Sequence, residues 1–143
     1  MLWIFRLDND CAFDIRKHLP ADWNSTVTFT DQDHTPRLRI GADGVATVLA
    51  TYAWNGCSPK FNVLDITVGT PDGVPMETGA PPKTYSASLF HDALYQFLDD
   101  PRMPLSRKQA DDVFLELLTR DGFALRHVYY TAVRLFGGIA RHL

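Results

Sequence analysis

Apolar positions along this chain change their rhythm near residue 84. Ahead of that point, short runs of β-branched and aromatic residues alternate with polar ones and stand between turn formers, the two-residue period of half-buried strands. Met1-Leu2-Trp3-Ile4-Phe5-Arg6-Leu7-Asp8 reads as a first strand, and Thr26-Val27-Thr28-Phe29 alternates as another. Arg37-Leu38-Arg39-Ile40, Gly41-Ala42-Asp43-Gly44 and the run from Val45 to Tyr52 spell a hairpin whose glycines supply a permissive turn. From Gly56 to Lys83, prolines at 59, 71, 75, 81 and 82 and glycines at 69, 73 and 79 forbid a long regular element. That stretch is expected to be an ordered crossing loop around a short strand from Phe61 to Val68.

After residue 84 the period becomes helical. Ala87, Phe90, Leu94, Phe97 and Leu98 share one helix face, and Pro101 and Pro104 are expected to stop that helix. Ser106-Arg107-Lys108-Gln109 is a capping box, in which the Ser hydroxyl and the Gln amide satisfy free N–H groups. The helix it opens is expected to bury Ala110, Val113, Phe114, Leu117 and Leu118 and to end at Gly122. A third helix, from about Ala124 to Phe136, is expected to turn Leu125, Val128, Tyr129, Ala132 and Phe136 inward and to terminate at Gly137-Gly138. Its Arg126, Tyr130 and Arg134 then fall on the opposite face and, with His127, Arg141 and His142, make a mildly basic surface. Such a surface suits an acidic partner protein or a membrane headgroup, or is a solvated helix face.

Strands first and helices afterwards is the α+β order, an antiparallel N-terminal sheet packed with about three C-terminal helices. The 143 residues, 45% hydrophobic and 22% charged, suit one domain, with 1–83 mainly β and loops and 84–143 mainly helical. A formal net charge of −3 argues against a protein built mainly to hold nucleic acid. The N-terminus lacks the pattern of a secretion signal, and no apolar run approaches the roughly 18 residues of a bilayer span. Cys11 and Cys57 show no zinc spacing and are expected to be reduced thiols. Trp3, Trp23 and Trp54 are expected in core or rim packing.

Candidate chemistry centres on Ser88-Leu89-Phe90-His91-Asp92-Ala93-Leu94-Tyr95. His91 sits at the edge of the apolar stripe, where a half-buried imidazole needs a partner. Ser88 and Tyr95, three back and four on, flank it on the same helix surface, while Asp92 points about 100° away. Asp111, just inside the next helix, comes opposite His91 if the two helices are antiparallel, with Asp112 competing for that place. A carboxylate there orients the ring and steadies its protonated form, as a general base acting on water requires. The same pair can equally be a structural tie between two helices, and Asp111 in the first turn also complements the helix dipole. Asp92 has a rival use, pairing with Arg126 or Arg134 on the third helix as a clasp. Cys57 or Ser58 served by His91 is a further nucleophile candidate.

Four ordered pieces carry a resemblance: Asn55-Gly56-Cys57-Ser58-Pro59-Lys60, His91-Asp92-Ala93-Leu94-Tyr95, Ser106 to Asp111 with Phe114, and Tyr130 to Gly137. Over Trp54 to Gly138 they resemble the domain-of-unknown-function family 1353 of tailed phages, prophages and bacteria, with Asn55 where that family has an acidic residue. The resemblance implies a viral or prophage setting, in the host-cell cytoplasm or associated with the virion. His91-Asp92-x-x-Tyr95 and Ala110-Asp111-x-x-Phe114 are also similar, more weakly, to phospholipases A2 of the compact viral type. That similarity implies His91 as base, Asp111 as its orienter, Tyr95 as support and Asp92 as a calcium ligand, with Gly69-Thr70-Pro71-Asp72-Gly73 offering carbonyls to the cation. Two functions follow as expectations. One is an accessory protein of virion assembly or host-protein interaction. The other is a calcium-dependent, phospholipid-directed hydrolase.

Overall fold

The computed structural model describes residues 5–6, 9–50, 53–54 and 85–140. The expected Phe61-to-Val68 strand, the proline-rich loop and Gly69-Thr70-Pro71-Asp72-Gly73 therefore lie outside the described residues, as do Cys57 and Ser58. Within them the chain is α+β, with antiparallel strands in its first half and three helices in its second.

Strands β1 (Phe5–Arg6) and β6 (Ala53–Trp54) pair with each other, Phe5 opposite Trp54. The main sheet holds β2 (Cys11–Asp14), β3 (Val27–Thr30), β4 (Pro36–Ile40) and β5 (Val45–Val48), in the order β2-β5-β4-β3 and antiparallel throughout. The expected hairpin is β4–β5, with Ile40 opposite Ala46 and Leu38 opposite Val48. Its second strand ends at Val48, and the next residue still donates to β4, Leu49 N–H to the Arg37 carbonyl at 2.9 Å. Strand β2 carries too short an alternation, half-buried Cys11 and Phe13 between exposed Ala12 and Asp14, to stand out in the sequence.

Period 2 governs β3 and β4: Phe29, Leu38 and Ile40 are fully buried while Thr28, Thr30 and Arg39 face out, whereas Ala46, Thr47 and Val48 of β5 are all buried. Asp31 closes the β3–β4 turn. Its Oδ1 accepts the N–H groups of Asp33 and Thr35 at 2.8 and 3.1 Å, and its Oδ2 accepts Arg37 Nε at 2.6 Å. A short 3₁₀ turn, Arg16–His18, follows β2 and leans on the β4–β5 turn, where Ile15 N–H donates to the Gly44 carbonyl at 2.9 Å.

The helices are α1 (Tyr85–Gln96), α2 (Arg107–Arg120) and α3 (Arg126–Ala140). Helix α1 packs on β4 and β5, α2 packs on α1, and α3 packs on α2. The capping box at Ser106 forms as expected: Gln109 N–H donates to Ser106 Oγ at 3.2 Å and Ser106 N–H to Gln109 Oε1 at 2.8 Å. Ala110, Val113, Phe114, Leu117 and Leu118 are all buried, and Gly122 with φ of +71° follows the helix end. Helix α1 stops earlier than the prolines required. Its end tightens, with Phe97 and Leu98 N–H groups reaching only three residues back, and Phe97 still packs on Phe29 at 5.4 Å between ring centres.

Helix α3 departs from expectation in two ways. It continues through Gly137 and Gly138 to Ala140, because the Arg107 guanidinium sits on the carbonyls of Val133 and Arg134, at 3.2 and 3.4 Å, and holds the turn that leads into the glycines. It is also rotated. Tyr129 and Val133 are buried and Arg126, Tyr130 and Arg134 half-buried, whereas Leu125, Val128, Leu135 and Phe136 are exposed. The expected inward set is therefore correct only for Tyr129 and, in part, Ala132.

Gly44 offers a direct check on the turn that joins sheet and 3₁₀ segment. Its φ is +84°, and a Cβ there would lie 2.8 Å from Arg16 Cβ and 3.1 Å from Arg16 Cα. Gly44→Ala is expected to cost about 1–3 kcal/mol in urea unfolding, from left-handed strain plus the clash. Gly41→Ala, whose added carbon comes too close only to the Asp43 side-chain oxygen, at 2.6 Å, and needs no left-handed backbone, is expected to cost less.

Candidate functional site: a buried carboxylate between three helices

The antiparallel packing of α1 and α2 does bring His91 and Asp111 together. Since an ionised carboxylate only accepts, His91 Nε2 donates to Asp111 Oδ1, at 2.7 Å. Tyr95, one turn further along α1, donates its hydroxyl to the same oxygen at 2.5 Å. The His91 ring is sandwiched between Tyr95 and Phe114, whose ring centres lie 4.2 and 4.6 Å away. Ser88 donates to the Tyr85 carbonyl at 3.1 Å within its own helix, and is buried. Asp92 is half-buried on the adjoining face of α1.

The second oxygen of Asp111 belongs to the third helix. Arg134 Nη1 donates to Oδ2 at 2.7 Å, and Arg107, one turn before Asp111 on α2, brings a second guanidinium to 3.6 Å. The clasp to the third helix is thus made by Asp111 with Arg134. A parallel contact lies one residue on: Tyr130 donates to Asp112 Oδ1 at 2.7 Å, and Lys108 to Oδ2 at 2.9 Å. Tyr130 and Arg134, expected on a solvated basic face, therefore serve the α2 carboxylates, and Arg126 donates to the Phe123 carbonyl at 3.3 Å. Of the basic surface expected from Arg126, His127, Tyr130, Arg134, Arg141 and His142, Tyr130 and Arg134 are engaged with the α2 carboxylates, and Arg141 and His142 lie outside the described residues.

The reason is the cost of a buried charge. Asp111 is fully buried, and an ionised carboxylate out of water is tolerated only where it is paired and hydrogen-bonded. Burial by itself would push the Asp111 carboxyl upward. Hydrogen bonds from His91, Tyr95 and Arg134, with the charge of His91, outweigh that and hold it below the ordinary carboxylate value. The Tyr95 hydroxyl is pushed well up, by burial first and then by its hydrogen bond to Asp111, so it stays a donor. Arg134 is raised by its bond to Asp111.

Chemically, imidazole, carboxylate and tyrosine stand in the order a water-activating pair needs, but two features oppose turnover. His91 is only 3% exposed, leaving little of the ring for a substrate to reach. The negative charge that would steady an imidazolium is also already balanced by Arg134 at 2.7 Å. Among the described residues, no group of three or more His, Cys, Asp or Glu side chains is placed to hold a metal ion around Asp92 or elsewhere. Cys57 and Ser58 lie outside the described residues, and the described Cys11 is a half-buried free thiol.

A second polar tie was not foreseen. His18 Nε2 meets Glu116 Oε1 at 2.8 Å, Lys17 Nζ meets Glu116 Oε2 at 2.8 Å, and Gln109 Nε2 donates to the His18 carbonyl at 3.0 Å. It fastens the 3₁₀ turn to α2 across 91 to 98 residues of sequence, a separation no local pattern reveals. No known protein family matches the chain, and neither a curated protein nor a solved structure matches it.

Because the Asp111 carboxyl is held low, its contribution to stability is complete above the ordinary value of 3.8 and is lost as pH falls toward and through its folded-state value. Chemical unfolding measured from pH 7 downward is expected to show stability declining below about pH 4. The decline should be shallower in Asp111→Asn, whose side chain has no proton to take up. Arg134→Met at pH 7 is expected to cost about 2–4 kcal/mol, since it strips a buried carboxylate of its cation.

Proposed function

We propose that this chain is a non-catalytic binding protein, a phage or prophage accessory factor of virion assembly or host-protein interaction, in which His91, Asp111 and Arg134 brace three helices. The observation that carries this reading is a contrast in exposure. The polar centre is closed off and internally balanced, whereas α3 presents Val128, Leu135 and Phe136 to solvent at 51%, 63% and 45% of their surface, with Leu125 just before the helix at 37%. Large apolar residues gathered on one exposed helix face mark an interaction surface more often than an accident of packing. Val128, Leu135 and Phe136 line a shallow, open depression of about 430 Å³ together with His127, Thr131 and Ala132.

The viral setting rests on the resemblance of the four motifs alone, and with it the placing in host cytoplasm or virion. No described helix is long and apolar enough to cross a membrane. A specific observation favours the second reading, a calcium-dependent phospholipase-like hydrolase: His91 Nε2 and Tyr95 Oη converge on one oxygen of Asp111. In that reading Asp92 holds the cation and a phospholipid must reach His91. The binding reading ranks first because the ring is closed in and Arg134 already answers the charge of Asp111.

One variant separates the two. His91→Asn is expected to lower unfolding free energy by about 1–3 kcal/mol, the cost of disturbing a buried hydrogen-bonded group. Neither it nor the wild type should release fatty acid from mixed phospholipid vesicles with calcium. Release by the wild type, lost in His91→Asn at an unchanged melting temperature, would establish the hydrolase instead.

A further inference from the structure

We infer that α3 is a releasable helix: it undocks from α2 as a unit while the sheet, α1 and α2 stay folded, and Arg107 and Lys108 of α2 take over the carboxylates that it leaves. Whether the exposed strip binds anything does not enter into it. Three observations carry it.

The first is how little α3 adds to the core. Helix α1 buries Leu89, Phe90, Ala93 and Leu94 among others, and α2 buries Ala110, Val113, Phe114, Leu117 and Leu118. Among the described residues, α3 buries Tyr129, Val133 and Gly137, and its main neighbour is α2. The apolar layer of Phe29, Leu38, Ile40, Phe90 and Leu94 is built by other elements. A segment with few buried apolar contacts opens at lower free energy than the whole molecule.

The second is the makeup of the remaining ties, which are polar and replaceable. Arg134 holds Asp111, Tyr130 holds Asp112, and Arg107 donates to the carbonyls of Val133 and Arg134. Each carboxylate also has a cation four residues earlier on its own helix, Arg107 at 3.6 Å from Asp111 Oδ2 and Lys108 at 2.9 Å from Asp112 Oδ2. When α3 leaves, water reaches Oδ2 of Asp111, and the Arg107 guanidinium, released from the two carbonyls, closes on it. Oδ1 keeps His91 and Tyr95 from α1. Neither carboxylate is stranded without water or a cation, so opening escapes the cost of orphaning a buried charge.

The third is the joint. Helix α2 is sealed by its own cap: Phe123 N–H donates to the Leu118 carbonyl at 2.9 Å and Gly122 N–H to the Thr119 carbonyl at 3.1 Å, with Gly122 at φ +71°. Phe123 is fully buried, whereas Ala124 and Leu125 are exposed. The chain can therefore turn at residues 124 and 125 without fraying α2. In the open state Tyr129 and Val133 join Val128, Leu135 and Phe136 at solvent, and one oxygen of Asp111 is uncovered.

Amide hydrogen exchange of the full chain, followed at low urea concentrations where it stays native, tests this. The amides from Tyr129 to Val133 are expected to share one opening, at least about 10-fold more frequent than that of the α1 and α2 core and only weakly dependent on urea, because little surface is uncovered. Arg134→Met, which weakens only the docked form, should speed α3 exchange by about 30-fold or more. Ile40→Val lies in the part that stays folded, so it should speed exchange of the α1 and α2 core by about 2- to 10-fold and leave α3 unchanged. Exchange of α3 at the rate and urea dependence of α1 and α2 overturns the inference. So does Ile40→Val speeding all three helices alike, or protection in α3 that falls off gradually toward its C-terminal end, the signature of fraying. The wild-type measurement decides by itself if a variant does not fold.

Discussion

A fully buried carboxylate must have every lone pair answered, and the arrangement of the helical half follows from the way Asp111 meets that demand. Its place is set by the capping box at Ser106, which starts α2 and puts residue 111 on the side that faces α1. Helix α1 then supplies His91 and Tyr95 to one oxygen, and α3 supplies Arg134 to the other. Removing the donors that α1 or α3 supplies leaves a buried carboxylate under-satisfied. Three helices that share a single acceptor are thereby fixed in register as well as in contact.

The same demand decides which face of α3 turns inward. Two stripes compete along that helix: an apolar one through Leu125, Val128, Ala132, Leu135 and Phe136, and a mixed one through Arg126, Tyr129, Tyr130, Val133 and Arg134. Burying the apolar stripe would gain roughly 1.5–3 kcal/mol per large side chain. Turning it inward, however, would carry Arg134 and Tyr130 away from Asp111 and Asp112, and an uncompensated buried carboxylate costs several kcal/mol. The mixed stripe still places Tyr129 and Val133 in the core, where Tyr129 packs edge-on against Phe123 at 4.7 Å. The inward face is the one that answers both α2 carboxylates while still burying Tyr129 and Val133, and hydrophobic surface is left exposed.

That consequence bears on function. A His–Asp–Tyr arrangement in a helical pair invites a catalytic reading, yet here its carboxylate is answered by an arginine and its imidazole is packed between two aromatic rings. The exposed half of the bargain lies on the far side of α3, where the apolar depression is open to solvent. The brace and the binding surface are thus two faces of one helix, coupled through its rotation.

Local signals in the amino-acid order determined the α+β class, the β4–β5 hairpin at Gly41 to Gly44, the capped start of α2 and its buried face, because each is written in residues within a few positions of one another. The nearness of His91, Tyr95 and Asp111 was also legible, since one turn of helix and an antiparallel pair of short helices suffice to predict it. Tertiary structure alone decided the outward turn of Val128, Leu135 and Phe136, the continuation of α3 past Gly137-Gly138, and the tie of His18 to Glu116. Each of these depends on a partner distant in sequence: Asp111 calling Arg134 inward, Arg107 holding the carbonyls of Val133 and Arg134, and the 3₁₀ turn reaching α2. Helical periodicity records which residues share a face, but the choice between two competing faces is made by what the neighbouring helix has buried.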